Sequence, residues 1–198
     1  MQTIFETLIN SFVENRVGIA ENFLSPQLAD DLKNNLIRLS ESRQMQAAGT
    51  GNSELVSLDK TVRSDVIYWL DKKHNDVHEN AFFVLMDAFI LHLNNSCYTG
   101  INGYEFHYAL YESGSFYKKH IDQFRNNPSR QYSMIIYLNT DWAAGDGGQL
   151  SIHHAGKASQ EIDPTGGKTV FFKSSELEHE VLVANKPRMS ITGWLKRD

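Results

Sequence analysis

The hydrophobic pattern of this chain changes its period near residue 98, and this change restricts the fold more than any other feature of the sequence. Before residue 98, apolar side chains recur at the three- and four-residue spacing of amphipathic helices. We predict one helix within the first 13 residues, a second that begins at the cap Ser25-Pro26, and a third from about residue 78 to 94. Two strands, Val17 to Phe23 and Val66 to Leu70, are predicted between the helices.

After residue 98 the period is two, as expected for β-strands: Tyr104, Phe106, Tyr108 and Leu110 alternate with other residues. Further strands are predicted at 132–138, 149–153, 169–172, 179–183 and 189–195. Six or seven short strands separated by glycine and proline indicate an antiparallel barrel or jelly roll, with the helices covering one face. We therefore predict a single, mainly β domain (α+β) over residues 1–198. Helical support with two strands would occupy about 1–97, and the jelly-roll core about 98–198.

The composition is that of a soluble globular protein, with 41% apolar residues and a net charge of -5 over 198 residues. This charge gives no sign of the basic patch that a nucleic-acid partner requires. No stretch approaches the roughly 18 apolar residues of a membrane span, and none resembles a signal peptide. Cys97 is the only cysteine and is predicted to be packed behind an apolar helix, so no internal disulfide can form. These features favour a cytoplasmic location and exclude neither a monomer nor an oligomer.

Three residues form a candidate metal site. On a strand, the side chains of His120 and Asp122 would point the same way, about 7 Å apart at their Cα atoms. With His179 they form a two-histidine, one-carboxylate set, which suits non-haem iron(II) better than a closed thiolate zinc site. The H-x-D triplet alone is a weak signal, and a surface pair beside Lys118 and Lys119 is the alternative.

Arg188 adds an independent argument. If residues 184–187 form a four-residue hairpin loop, Val183 faces Arg188, Thr192 lies opposite His179, and all four side chains point inward. Arg188 would then lie about 13 Å along the strand from the metal. A short dicarboxylate that chelates the metal at one end could meet the guanidinium at the other, and 2-oxoglutarate has the required length. A salt bridge to a protein carboxylate is the alternative for this arginine.

These motifs resemble those of the iron(II)- and 2-oxoglutarate-dependent dioxygenases. Within that superfamily the chain is similar to the prolyl 4-hydroxylase group, in particular the oxygen-sensing hydroxylases and their bacterial relatives. The resemblance covers roughly residues 60–196. The matching stretches are V-R-S-D-V-I-Y-W-L at 62–70, Y-E-S-G-S-F-Y-K-K-H-I-D-Q-F at 111–124, I-Y-L-N-T-D-W at 136–142, G-G-Q-L at 147–150, H-E-V at 179–181 and R-M-S-I-T-G-W at 188–194.

The resemblance implies a double-stranded β-helix, the jelly roll that is also found in cupins, and it implies a role for each of nine residues. His120, Asp122 and His179 would bind iron, with no catalytic residue beyond these ligands. Arg188 would bind the distal carboxylate of 2-oxoglutarate with help from Tyr137 and Thr192, and Tyr111 would lie near the metal end. Arg130 and Trp194 would contact the substrate. From the residues alone, Tyr111, Tyr137 and Trp194 could equally be core residues, and Arg130 a solvated loop charge.

The implied activity is hydroxylation of a prolyl residue in a protein or peptide, with Fe(II), 2-oxoglutarate and O2, and with ascorbate as the reductant. 2-Oxoglutarate would be converted to succinate and CO2. The alternatives are the same chemistry on a free amino acid, another protein side chain or a natural product, a non-catalytic jelly-roll binding module, and a zinc hydrolase. The other histidines show no ligand spacing and are interpreted as ordinary strand or surface residues; these are His74, His78, His92, His107, His153 and His154.

Overall fold

The computed structural model describes residues 2–49, 59–143 and 145–197, and within these ranges the chain forms three α-helices and eleven β-strands. The helices are α1 (Gln2–Asn15), α2 (Pro26–Glu41) and α3 (Val77–Cys97). The strands are β1 (Val17–Glu21), β2 (Gln46–Ala47), β3 (Val66–Trp69), β4 (Gly103–Tyr111), β5 (Tyr117–His120), β6 (Arg130–Tyr137), β7 (Leu150–His153), β8 (Gln160–Ile162), β9 (Lys168–Lys173), β10 (Glu178–Val181) and β11 (Arg188–Lys196). Among the described residues, no helix combines the length and the apolar character that crossing a bilayer requires.

The strands form two antiparallel sheets. The large sheet has the order β1-β9-β6-β11-β4-β3-β2, and the small sheet has the order β5-β10-β7-β8. The mainly β jelly-roll core with supporting helices is thus confirmed. Eight described strands follow residue 98, rather than six or seven: β8 was not predicted, and β5 was predicted only as the strand that carries the H-x-D triplet. Strands from both halves of the chain share the large sheet.

The helices begin where side chains satisfy their free N–H groups. Ser25 accepts a hydrogen bond from the Leu28 N–H at 3.3 Å, and Pro26 takes the first helical position of α2. Asp76 caps α3 in the same way, since its carboxylate accepts from the N–H groups of His78 and Glu79. This second cap was not predicted. Cys97, expected to be packed, is exposed at the end of α3, so that prediction was wrong.

The two faces of the large sheet differ in character. Tyr104, Phe106, Tyr108 and Leu110 of β4 pack against the helices in the main apolar core. The helical contribution to this core includes Phe5, Leu8, Leu32, Leu36, Phe82, Met86 and Phe89. The residues between them on β4 point to the opposite face, because successive strand side chains alternate. That opposite face lines a cavity.

The predicted hairpin between β10 and β11 is wrong. β10 pairs with β5 and β7 in the small sheet, whereas β11 pairs with β4 and β6 in the large sheet. The connecting segment crosses between the sheets, and loops satisfy its backbone: Ala184 donates to the Ser115 carbonyl and accepts from the Gly114 N–H. Val183 is half exposed instead of pointing inward. His179 and Arg188 therefore reach the interior from different sheets.

Candidate metal centre and its cavity

A cavity of about 480 Å³ is lined by residues of both sheets. Eight of the nine predicted site residues line it: Tyr111, His120, Asp122, Arg130, His179, Arg188, Thr192 and Trp194. The ninth, Tyr137, is completely buried, and its ring lies 4.9 Å from the guanidinium carbon of Arg188. The structure therefore brings all nine residues to one region.

The three candidate metal ligands converge at this cavity. His120, Asp122 and His179 each offer one ligand atom, and these atoms lie within 4.8 Å of one another. Nε2 of His120 is 3.5 Å from Oδ1 of Asp122, and Nε2 of His179 is 3.5 Å from Oδ2. Two imidazole nitrogens and one carboxylate are the donor set of non-haem iron(II) sites, so the residues present fit such an ion.

Strand pairing and one bend place these ligands. His120 ends β5 and is the direct cross-strand partner of His179 on β10. Asp122 lies beyond the strand, so the prediction that both residues of the H-x-D triplet share a strand was wrong. The chain bends after His120, and the backbone N–H of Gln123, the residue after Asp122, donates to the Ser174 carbonyl. This bend allows the Asp122 carboxylate to accept a 2.6 Å hydrogen bond from the Ser133 hydroxyl of the large sheet.

Backbone carbonyls determine which nitrogen of each histidine faces the metal position. Nδ1 of His120 donates to the Lys118 carbonyl at 2.7 Å, and Nδ1 of His179 donates to the Leu177 carbonyl at 3.0 Å. Because a carbonyl can only accept, both Nδ1 atoms carry hydrogen, and in the neutral imidazole Nε2 is then the nitrogen with the free lone pair. The rings are thus held in the tautomer that binds a metal through Nε2.

The electrostatic environment favours the ligand forms of these groups. Burial disfavours the Asp122 carboxylate, but attraction to His179 and His120 and the Ser133 hydrogen bond outweigh it, so its pKa lies far below the ordinary value. Burial lowers the pKa of His179 to about 4, against the opposing attraction of Asp122. At neutral pH the aspartate is charged and the His179 imidazole is neutral.

A side chain that was not predicted supports His120. The Tyr117 ring stacks on the His120 imidazole with a centroid distance of 3.6 Å. The guanidinium carbon of Arg63 lies 4.2 Å from the centroid of the same Tyr117 ring. Arg63 is itself held by a two-contact ion pair with the buried Asp65. The V-R-S-D stretch was noted only as a matching motif, and its spacing alone gave no indication of this contact.

Arg188 occupies a different part of the cavity and is 1% exposed. Its Nε donates to the Gly148 carbonyl at 2.9 Å, but its Nη2 has no hydrogen-bond partner among the described residues. Gly148 has a φ of +64°, and a side chain there would lie 3.0 Å from the Arg188 Cδ. Glycine thus permits the close approach. Within the described ranges, Arg188 forms no ion pair with a protein carboxylate, which was the alternative interpretation.

A buried guanidinium without a carboxylate is costly, and a carboxylate ligand would compensate it. Two tyrosines lie at the same place, since the rings of Tyr111 and Tyr137 are each 4.9 Å from the Arg188 guanidinium carbon. Burial raises the pKa of both phenols, so both remain protonated donors. The Tyr111 ring is therefore beside Arg188, and the Tyr137 hydroxyl finds no partner in the described part of the chain. These donors fit a dicarboxylate.

The remaining predicted residues lie at another part of the lining. The Arg130 guanidinium carbon lies 3.4 Å from the centroid of the Trp194 ring. Arg130 also forms an ion pair with Glu105 at 2.7 Å. Arg130 is largely buried, so its interpretation as a solvated loop charge was wrong. Trp69 and His107, neither of which was predicted, complete this part of the wall. We call this set (Trp69, His107, Arg130 and Trp194) the tryptophan wall.

In a comparison with protein families, residues 106–196 match the family model of the 2OG-Fe(II) oxygenase superfamily. Two similar proteins are Egl nine homolog 1 of Homo sapiens, 27% identical over 201 residues, and the hypoxia-inducible factor prolyl hydroxylase of Caenorhabditis elegans, 28% identical over 212 residues. Each match covers 98% of this chain. The chain spans 47% of the human protein and 28% of the worm protein.

Two solved structures are similar over nearly the whole chain. A prolyl-4-hydroxylase from Pseudomonas putida is 30% identical with a TM-score of 0.87, covering 98% of this chain and 99% of the other. A prolyl hydroxylase from Trichoplax adhaerens, in complex with a hypoxia-inducible factor peptide fragment, is 25% identical with a TM-score of 0.85, covering 98% and 90%.

Proposed function

We propose that this chain, which belongs to the 2OG-Fe(II) oxygenase superfamily, hydroxylates a prolyl residue of a protein. The observation that carries the proposal is a single cavity that contains two features. One is a group of three side chains able to bind a metal ion, and the other is a buried arginine that forms no ion pair with a protein carboxylate in the described residues. The similar proteins named as prolyl hydroxylases support the choice of proline.

In this proposal His120, Asp122 and His179 hold iron(II) through two Nε2 atoms and one carboxylate oxygen. Bound there, the metal supplies oxidation of the substrate by O2, coupled to conversion of 2-oxoglutarate to succinate and CO2. Ser133 keeps the carboxylate oriented by its hydrogen bond, and two backbone carbonyls keep the imidazoles in the binding tautomer.

Arg188 binds the distal carboxylate of 2-oxoglutarate with its free Nη2 group. The buried hydroxyl of Tyr137 donates a hydrogen bond to the same carboxylate. Thr192 and Tyr111 line the path between Arg188 and the metal. Because these groups are buried, water does not compete for the carboxylate once the co-substrate is in place. Arg130 and Trp194 contact the substrate polypeptide at the tryptophan wall.

We further propose that residues 1–198 act as a single domain, that ascorbate keeps the iron reduced, and that the protein works in the cytoplasm. The shared large sheet supports the first of these proposals. The single cysteine, which excludes an internal disulfide, supports the last.

The test compares cells that contain the wild-type chain with cells that contain Asp122→Ala. Proteome-wide mass spectrometry would then search for prolines heavier by one oxygen atom. We expect at least one such proline only with the wild type, and a synthetic peptide around it should be hydroxylated by purified enzyme with Fe(II), 2-oxoglutarate and ascorbate. Glu178→Ala is the matched control, since Glu178 is an exposed neighbour of His179.

Modification of another residue or of a small molecule, with no change at proline, would instead support the related oxygenase activities. Tight 2-oxoglutarate binding without turnover in air would support a non-catalytic module. Zinc in the freshly isolated protein together with hydrolase activity would support the hydrolase.

A further inference from the structure

We propose that His107 positions the substrate: its imidazole donates a hydrogen bond to a main-chain carbonyl next to the target proline. This inference deepens the proposed function and rests on it. His107 was not among the predicted site residues.

Strand pairing places His107 in the cavity wall. It lies in the middle of β4, where its Cα partners are Thr192 on β11 and Trp69 on β3. Its side chain is 3% exposed and lines the cavity. Tyr111, the cross-strand partner of Arg188, is four residues farther along β4, which corresponds to about 13 Å. His107 therefore lies well away from the carboxylate anchor, on the side of the cavity left for the substrate.

The neighbours of His107 leave its Nδ1 without a partner. The imidazole packs against two indoles, with ring-centroid distances of 4.9 Å to Trp69 and 5.5 Å to Trp194. An indole offers no hydrogen-bond acceptor. Nδ1 of His107 has no hydrogen-bond partner within residues 2–49, 59–143 and 145–197. Leaving such a group buried and unsatisfied costs about 1–3 kcal/mol. A ligand that supplies the missing bond recovers this cost.

The imidazole is uncharged when it meets the substrate. Burial, together with the positive charges of Arg63 and Arg130, lowers the pKa of His107 to about 3. A neutral imidazole has one N–H donor and one acceptor nitrogen, and it suits an uncharged peptide group better than a substrate carboxylate.

The chemistry of proline selects the group that His107 contacts. A prolyl residue has no N–H, so the main chain around it is rich in carbonyl acceptors and lacks one donor. A second buried nitrogen beside His107, Nε1 of Trp194, also has no partner in the described part of the chain, and it can only donate. Two adjacent donors therefore complement this segment, while Trp69, 46% exposed, offers an apolar surface to the pyrrolidine ring.

The test uses the full chain and two substitutions. His107→Asn places an amide nitrogen where Nδ1 lies and keeps a donor, whereas His107→Leu removes hydrogen bonding and keeps an apolar side chain. His154→Leu, at a histidine outside the cavity lining, is the matched control. The substrate is a pool of synthetic peptides with a central proline and randomised flanks, and KM and kcat are measured on the best member of the pool.

We expect His107→Leu to raise the peptide KM about 5- to 100-fold, which corresponds to the cost of one unsatisfied polar group. The KM for 2-oxoglutarate should stay at the wild-type value, the unfolding midpoint should not fall because an unsatisfied buried group is removed, and His107→Asn should recover most of the loss in peptide KM. His154→Leu should behave as the wild type.

Three results would overturn the inference. These are an unchanged peptide KM in His107→Leu, an equal loss in the Leu and Asn variants, and a loss confined to the KM for 2-oxoglutarate. Each can occur while the wild type still hydroxylates proline, so the proposed function would stand. A wild-type enzyme that turns over no proline peptide would contradict the proposed function itself, and the inference with it.

Discussion

The two faces of the large sheet are built from alternate residues of the same strands, yet they meet different requirements. On the helix face, Phe106 and Ile191 are fully buried among other apolar side chains. On the cavity face, His107, which follows Phe106 in the sequence, and Arg188, three residues before Ile191, are almost as buried but keep polar atoms without partners in the described residues. Adjacent residues of one strand can therefore serve different purposes, one stabilising the core and the next lining the cavity, because successive side chains point to opposite faces of the sheet.

This comparison predicts that cavity-face substitutions reduce function and spare stability, and that helix-face substitutions do the reverse. The largest functional effect is expected for Asp122→Ala. Loss of the carboxylate should reduce turnover by more than the about 10- to 100-fold typical of losing a group that only orients a ligand. The unfolding midpoint of the metal-free protein should fall little. Retained turnover, measured as succinate released with substrate, would contradict the assignment of the ligands.

Phe106→Ala should give the largest loss of stability. Phe106 is 1% exposed, and its ring meets Phe82 edge to face at a centroid distance of 5.0 Å. Truncation should lower the free energy of unfolding by about 3–5 kcal/mol, measured by urea denaturation. The folded fraction should still bind 2-oxoglutarate with the wild-type Kd. A weakened Kd would show that the two faces are coupled.

Arg188→Met tests whether a cavity-face residue carries binding without stabilising the fold. Removing the guanidinium should weaken 2-oxoglutarate binding by about 2–5 kcal/mol, measured by calorimetry. The free protein should be as stable as the wild type or more so, because an unpaired buried charge is removed. Arg188→Lys, which keeps the charge and loses the planar fork, should lie between the two. A loss of stability as large as that of Phe106→Ala would identify Arg188 as a structural residue.

Ser133→Ala should have the smallest effect of the four. It removes the 2.6 Å hydrogen bond to Asp122, so iron(II) affinity should fall about 10- to 100-fold in a competition assay with a chelator. Ser174→Ala is the control, since the Ser174 hydroxyl contacts Ser133 at 2.9 Å and does not contact the carboxylate directly. Equal losses in both variants would mean that the hydroxyl pair acts as a unit.

The sequence predicted the long central strands well, because their alternation is strong. Residues 104–110 became β4 (Gly103–Tyr111), and residues 189–195 became β11 (Arg188–Lys196). The outer strands of the small sheet are β5 and β8; alternation predicted neither, and β5 was expected only because it carries the H-x-D triplet. An outer strand has fewer neighbours, so its residues need not alternate between apolar and polar. The two exposed lysines of β5 show this.

Strand partners were harder to predict than strands. The short segment between His179 and Arg188 favoured a hairpin, but its backbone groups are satisfied by loops near Gly114 and Ser115. The estimate of the co-substrate from the length of one strand therefore rested on a wrong pairing. The buried, unpaired state of Arg188 now supports the same co-substrate. His107 gave no signal because its surroundings depend on β3 and β11, which are distant in sequence.

The order of the large sheet has a consequence for which strand edges are covered. Its outermost strands, β1 on one side and β2 with β3 on the other, all precede residue 98. A chain shortened to begin at residue 98 would leave β9 and β4 as open edges, whose unpaired N–H and C=O groups recruit strands from other molecules. The helical half therefore also guards the sheet against aggregation. Because Val17 pairs with Phe172, this protection is complete only after almost the whole chain has been synthesised.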